Sequence, residues 1–173
     1  HRGSSAASDV YKRQTLISFP MNILLEDESA SIELGRLLSD ALQYGDEEKF
    51  EIHLEGNLGA GKTTIARALI NGLGWQGKVK SPTYTIYEEY QVKDYLCKHI
   101  DLYRIDNQED VDMLDLETVS EKKLLILIEW PENLPNKRKF DLKISIVHKN
   151  ESRLVKLSGI ASKIIKTVES KYA

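Results

Sequence analysis

Gly56-Asn57-Leu58-Gly59-Ala60-Gly61-Lys62-Thr63 fits G-x-x-x-x-G-K-[ST], the spacing of a loop that wraps the phosphates of a nucleoside triphosphate. Each fixed position has its own task. Gly56 and Gly61 permit backbone angles closed to other residues, so the chain can curl around an anion. The amides along Asn57, Leu58, Gly59, Ala60 and Gly61 then point inward as an anion nest. A helix starting at Lys62 adds the positive end of its dipole. Lys62 brings a full charge to the outer phosphates, and Thr63 brings a hydroxyl for Mg2+.

Such a site also needs carboxylates to hold magnesium and place a water. In open α/β sheets these collect at the carboxyl ends of the strands beside the loop. Glu129 ends the apolar run Leu124-Leu125-Ile126-Leu127-Ile128 and resembles the second Walker element, with Glu where Asp is commoner. Asp101 ends a strand containing His99 and Ile100. Lys62, Asp101 and Glu129 are therefore the candidate catalytic residues.

Ser81-Pro82-Thr83-Tyr84-Thr85 stands where the segment after the first loop helix often senses the γ-phosphate. It reads either as a source of hydroxyls for magnesium or phosphate, or as a Pro-initiated turn into a strand. Trp130 reads either as a ring that packs a base or as a cap on the core. Arg104 either neutralises developing charge or pairs on the surface with Asp101 or Asp106. Lys137-Arg138-Lys139 reads most simply as a solvated basic turn, with a contact patch as the alternative. His53, His99 and His148 lack metal-ligand spacing and are assigned no metal. The sole Asn-Lys pair, Asn136-Lys137, lacks the Asp of a guanine-binding Asn-Lys-x-Asp, which favours ATP over GTP.

The elements that must position these groups are legible in the periodicity. Phe50, Ile52 and Leu54 alternate with Glu51, His53 and Glu55, a strand pattern, directly before the loop. Ile65, Ala66, Leu69, Ile70 and Leu73 recur at helical spacing after it, and Gly72 and Gly74 offer a stop. An earlier helix is predicted from a cap at Ser29 or Ser31, through Leu34, Leu38 and Leu42, to Gly45. Thr83–Tyr90 and Tyr95–Ile100 are predicted strands of an antiparallel hairpin. Residues 107–119 are predicted helical, and 124–128 form a buried parallel strand. Leu142, Ile144 and Ile146, then Leu154, Val155 and Leu157, predict a closing hairpin before a terminal helix from about Ala161. Together these predict an α/β fold: a three-layer sandwich of the phosphate-loop NTPase kind, with a mixed, partly antiparallel central sheet.

The chain has 173 residues, enough for one domain with a real core, and its 41% hydrophobic and 29% charged content is that of a globular protein. No apolar run approaches a membrane span. The lone Cys97 excludes an internal disulfide and suits a reducing compartment such as the cytoplasm; it reads as a small strand residue. Residues 1–14 lack apolar periodicity, and Asp9-Val10-Tyr11-Lys12-Arg13-Gln14 looks like an in-frame translation of a transposon end used in sequencing libraries. We therefore expect 1–14 to be a non-native, disordered scar, Met21 to be a plausible natural start, and 21–173 to be a single domain. Removing the net +2 of residues 1–14 (Arg2, Lys12 and Arg13 against Asp9) from the formal −3 leaves −5. That acidic body argues against tight nucleic-acid binding by this chain alone.

Four blocks in fixed order carry a more specific signal: Gly56 to Thr64, Val79-Lys80-Ser81-Pro82-Thr83-Tyr84-Thr85, His99-Ile100-Asp101-Leu102-Tyr103-Arg104 and Ile128-Glu129-Trp130-Pro131-Glu132. Together they resemble the bacterial TsaE (YjeE) family, from about Met21 to the terminal hairpin. The resemblance implies an ATPase component of tRNA N6-threonylcarbamoyladenosine synthesis, slow alone, working with TsaD and TsaB and meeting tRNA through that complex. Threonylcarbamoyl transfer would belong to TsaD. Carried over to these positions, Lys62 and Thr64 would bind phosphate, Thr63 and Glu129 would hold magnesium, and Asp101 would support hydrolysis. Thr83 and Thr85 would lie in a switch-like segment, and Trp130 near the nucleotide. Two rivals stand beside this reading. One is a small-molecule kinase, which needs an arginine-rich lid, whereas only five dispersed arginines follow residue 20 (Arg36, Arg67, Arg104, Arg138, Arg153). The other is a nucleotide-gated adaptor without turnover.

Overall fold

Strand β2 (Lys49–Gly56) runs straight into the glycine loop, and helix α2 (Lys62–Gly72) leaves it. The computed structural model describes residues 20–105 and 108–172. The expected scar over 1–14 and the first residue of the helix predicted over 107–119 lie outside them. Seven strands form one sheet in the order β1-β7-β6-β2-β5-β4-β3. They are β1 (Met21–Leu25), β2, β3 (Tyr87–Gln91), β4 (Tyr95–Asp101), β5 (Lys123–Glu129), β6 (Leu142–Lys149) and β7 (Ser152–Gly159). The centre, β6-β2-β5-β4, is parallel, and both edges are antiparallel. This is the expected mixed α/β sheet.

Side chains alternate across the strands, so the sheet divides its apolar residues between two faces. On the first, Phe50, Ile52, Leu54, Leu125 and Leu127 pack beneath α1 (Glu28–Gln43), α2 and the terminal helix α4 (Ser162–Tyr172). On the second, Leu96, Ile100, Leu124, Ile126 and Ile128 pack against Val111 of the short α3 (Gln108–Asp112) and the loop that follows it. Helices α1 and α2 approach closely at Gly35, where a Cβ would sit 2.6 Å from that of Ala68. Among the described residues no helix is long and apolar enough to cross a membrane.

Four local expectations are corrected. Asp27, not Ser29 or Ser31, caps α1: its carboxylate accepts from the Ala30 amide at 2.9 Å, and the Ser29 hydroxyl donates to that carboxylate instead. The strand predicted from Thr83 begins only at Tyr87, because the Ile86 amide closes a turn onto the Pro82 carbonyl at 2.7 Å and Ile86 itself adopts φ 68°. The helix predicted to reach 119 stops at Asp112. Buried Lys98 holds the following loop instead, donating to the Asp115 carbonyl at 2.8 Å and the Thr118 hydroxyl at 2.6 Å. Finally, β1 was not foreseen; it pairs along its length with β7 and closes that edge.

Candidate functional site

The loop from Gly56 to Gly61 curls as its glycines allow, with φ 145° at Gly56, 77° at Gly59 and 105° at Gly61. Left-handed Gly61 precedes α2, and the first helical amide bonded to a carbonyl is that of Ile65, to Gly61 at 3.1 Å. The amides before it, at Lys62, Thr63 and Thr64, lack intrahelical partners and belong to the dipole's positive end. The β6–β7 hairpin braces the loop from behind. His148 Nε2 lies 3.1 Å from the Gly59 carbonyl, and Arg153 donates Nε–H to the Ala60 carbonyl at 3.1 Å.

A cavity of about 230 Å³ opens in front of the loop. Leu58, Gly59, Ala60, Gly61, Lys62, Thr63 and Thr64 line one side, and Thr83, Asp101, Glu129 and Trp130 line the other, with Ser81 and Tyr103. The parallel register explains the convergence. Asp101 stands opposite Glu129, and Glu129 opposite Leu54, so three strand ends present one row of side chains toward α2. A larger hollow of about 740 Å³ lies between α1 and α4, but it gathers no such chemistry.

Within the cavity the polar groups are tied together. Thr63 Oγ1 donates toward Glu129, 2.8 Å from Oε1 and 2.9 Å from Oε2. The Lys62 ammonium donates to the Gly56 and Asn57 carbonyls at 2.6 and 3.1 Å and rests 3.9 Å from the centre of the Trp130 ring. Burial lowers the pKa of Lys62, while Glu129, Asp101 and Glu132 oppose that shift by favouring the charged form. Asp101 accepts from the Thr83 hydroxyl at 2.7 Å and from the Tyr103 amide at 2.9 Å. Ser81 extends the chain to Thr83 at 2.9 Å.

Two predicted residues stand apart. Thr85 does not line the cavity; its hydroxyl donates to half-buried Glu88 at 3.1 Å. Asn57 contributes its backbone carbonyl to Lys62 rather than a cavity-lining side chain. Arg104 stacks on exposed Tyr84 at 4.6 Å and makes no ion pair with Asp101, while Asp106 lies outside the described residues. Among the described residues no arginine lines the cavity. Sequence reasoning passed over His99, whose Nε2 lies 2.8 Å from Glu129 Oε1. The period of two was the available signal, since His99 precedes Asp101 by two residues on one strand and must share its face.

Glu129 is only 2% exposed, and among the described residues the one basic side chain within hydrogen-bond distance of it is His99. Among the described residues no lysine or arginine is hydrogen-bonded to it, although Lys62 stands in the same cavity within reach of its charge, and a buried carboxylate left so favours an incoming cation. No cluster of three or more His, Cys, Asp or Glu side chains suited to a metal occurs among the described residues. The donors instead fit Mg2+, which takes one or two carboxylates and completes its shell with water and substrate phosphates. Glu129 and Thr63 are the residues that would hold it, facing a loop built for anions.

Residues 25–155 match the family described as "Threonylcarbamoyl adenosine biosynthesis protein TsaE". Relatives named tRNA threonylcarbamoyladenosine biosynthesis protein TsaE include one from Haemophilus influenzae, 33% identical over 77% of this chain and 85% of that protein. Another, from Nostoc sp., is 36% identical over 80% and 85%. The crystal structure of Bacillus subtilis YdiB superposes with a TM-score of 0.62 at 23% identity, covering 91% of this chain and 96% of that one. That likeness concerns the fold.

Proposed function

This chain belongs to the TsaE family of threonylcarbamoyl adenosine biosynthesis proteins, and we propose that it serves that pathway by binding ATP with Mg2+ and hydrolysing it. The observation that carries the reading is the half-buried Glu129–Thr63 contact across the mouth of the glycine loop, with no lysine or arginine among the described residues hydrogen-bonded to the acid. Lys62 would leave its two carbonyls for the outer phosphates, and the amides of 58–64 would hold the rest. Asp101, already a hydrogen-bond acceptor in the cavity, would orient the attacking water. Magnesium, when bound, would supply charge against the phosphoryl oxygens.

Among the described residues no arginine belongs to the cavity lining, which supports slow turnover by the chain alone, since an arginine beside the transferring phosphoryl group is worth roughly 10³–10⁵ in rate. It also gives the kinase alternative no support. We propose that TsaD and TsaB are the partners that raise the rate, that threonylcarbamoyl transfer takes place on TsaD, and that tRNA is met through them. Lys62→Ala should abolish ATP turnover, assayed with and without TsaD–TsaB and tRNA. Undiminished turnover in that variant would contradict the assignment, and wild-type ATP left intact in the full complex would favour a non-hydrolysing adaptor.

A further inference from the structure

We propose that His99 is a positioning residue of this site: its imidazole N–H fixes Oε1 of Glu129, leaving Oε2 and the Thr63 hydroxyl as the pair offered to the cation. The inference rests on the reading above that Glu129 and Thr63 serve a magnesium–nucleotide. His99 is fully buried on β4, and its Nε2 lies 2.8 Å from Glu129 Oε1. An ionised carboxylate only accepts hydrogen bonds, so the Nε2 atom carries the proton of this contact. Nδ1 has no partner and is cut off from solvent. A hydrogen on Nδ1 would be a buried donor with no acceptor, so the ring's one satisfied hydrogen bond is the Nε2–H donated to Glu129.

The two carboxylate oxygens are consequently unequal. Oε1 accepts from both His99 and Thr63, whereas Oε2 accepts from Thr63 alone. A threonine hydroxyl can donate to a carboxylate and still offer a lone pair to a cation. Thr63 can therefore serve both groups while His99 keeps the carboxylate plane from rotating. Without His99, only the Thr63 hydroxyl would set that plane, because among the described residues no lysine or arginine is hydrogen-bonded to Glu129. Orientation of a metal-binding carboxylate by an outer hydrogen bond is typically worth about 10–100-fold in metal affinity.

The test uses the full chain with Mn2+ as probe, titrated by electron paramagnetic resonance in the presence of a non-hydrolysable ATP analogue. His99→Leu removes the donor. His99→Gln keeps an N–H at comparable reach, and His99→Asn carries an amide too short to reach Oε1. His99→Leu should weaken Mn2+ binding by about 10–100-fold while nucleotide binding in EDTA stays unchanged. His99→Gln should recover most of the Mn2+ affinity. If the leucine variant does not fold, the Gln and Asn variants decide: Gln should bind Mn2+ the more tightly, and equal affinities would overturn the proposal. Wild-type Mn2+ affinity in His99→Leu would overturn it too. Nucleotide binding by the wild type that ignores Mn2+ would remove the underlying reading and the inference together. Metal-dependent binding that is indifferent to residue 99 would remove the inference alone.

Discussion

Two buried Glu–His pairs stand on opposite faces of this sheet, each with 2.8 Å between Nε2 and a carboxylate oxygen. Glu51 and His53 belong to β2, on the face away from α2; Glu129 and His99 lie toward it. The difference is Arg138. Its Nε–H donates to both oxygens of Glu51, at 2.8 and 2.9 Å, and its terminal nitrogens reach Glu117 and the Leu116 carbonyl. Burial opposes the charge on Arg138, but Glu117 and Glu51 outweigh it and raise the pKa. The Glu51 charge is thus neutralised by the protein itself and pins the 130–141 crossover to the sheet. Glu129 has no arginine paired to it among the described residues, and the nearby Lys62 ammonium donates to the Gly56 and Asn57 carbonyls instead. One pair completes the fold, and the other is left for a cation from outside.

Removing Arg138 should produce the largest change in stability. Breaking a buried ion pair from one side typically costs about 3–5 kcal/mol, so Arg138→Ala should lower the unfolding free energy by about that amount, read as a lower denaturation midpoint. Metal-dependent nucleotide binding should survive in the folded fraction. A variant as stable as wild type would erase the distinction between the two pairs. Glu129→Gln probes the other side. With no arginine to orphan, it should leave the ligand-free protein as stable as before or more so. Mg2+ with a non-hydrolysable ATP analogue at about 100 times its dissociation constant should add about 2.7 kcal/mol to wild type and far less to Glu129→Gln. Equal stabilisation in a thermal-shift assay would remove Glu129 from the cation site. The smallest effects separate two neighbouring threonines. Thr83→Ala frees Asp101 and should lower kcat, whereas Thr85→Ala loses only an exposed contact with Glu88 and should leave turnover unchanged.

What could be read in the residues depended on how local the governing interaction was. The strand–loop–helix unit at 50–73 is dictated by alternation, glycine freedom and helical period within one short segment, and it stands as expected. Glu129 and Asp101 could be placed because each ends a strand, and ends of parallel strands converge. Arg138 was misread as part of a solvated turn because its partners, Glu51 and Glu117, are distant in sequence. Helix 107–119 was overextended for a similar reason: Lys98, from a strand, captures the carbonyls and hydroxyl of 114–118. The Ile86 turn ran against β-branched propensity, which favours an extended backbone at that residue.

Whether Glu129 and Thr63 hold the metal of a bound nucleotide can be seen in a crystal structure with Mg2+ and a non-hydrolysable ATP analogue. The triphosphate should be enclosed by residues 56–64, with the metal in contact with Thr63 Oγ1 and a Glu129 oxygen. A nucleotide bound elsewhere, or a metal held without Glu129, would contradict it.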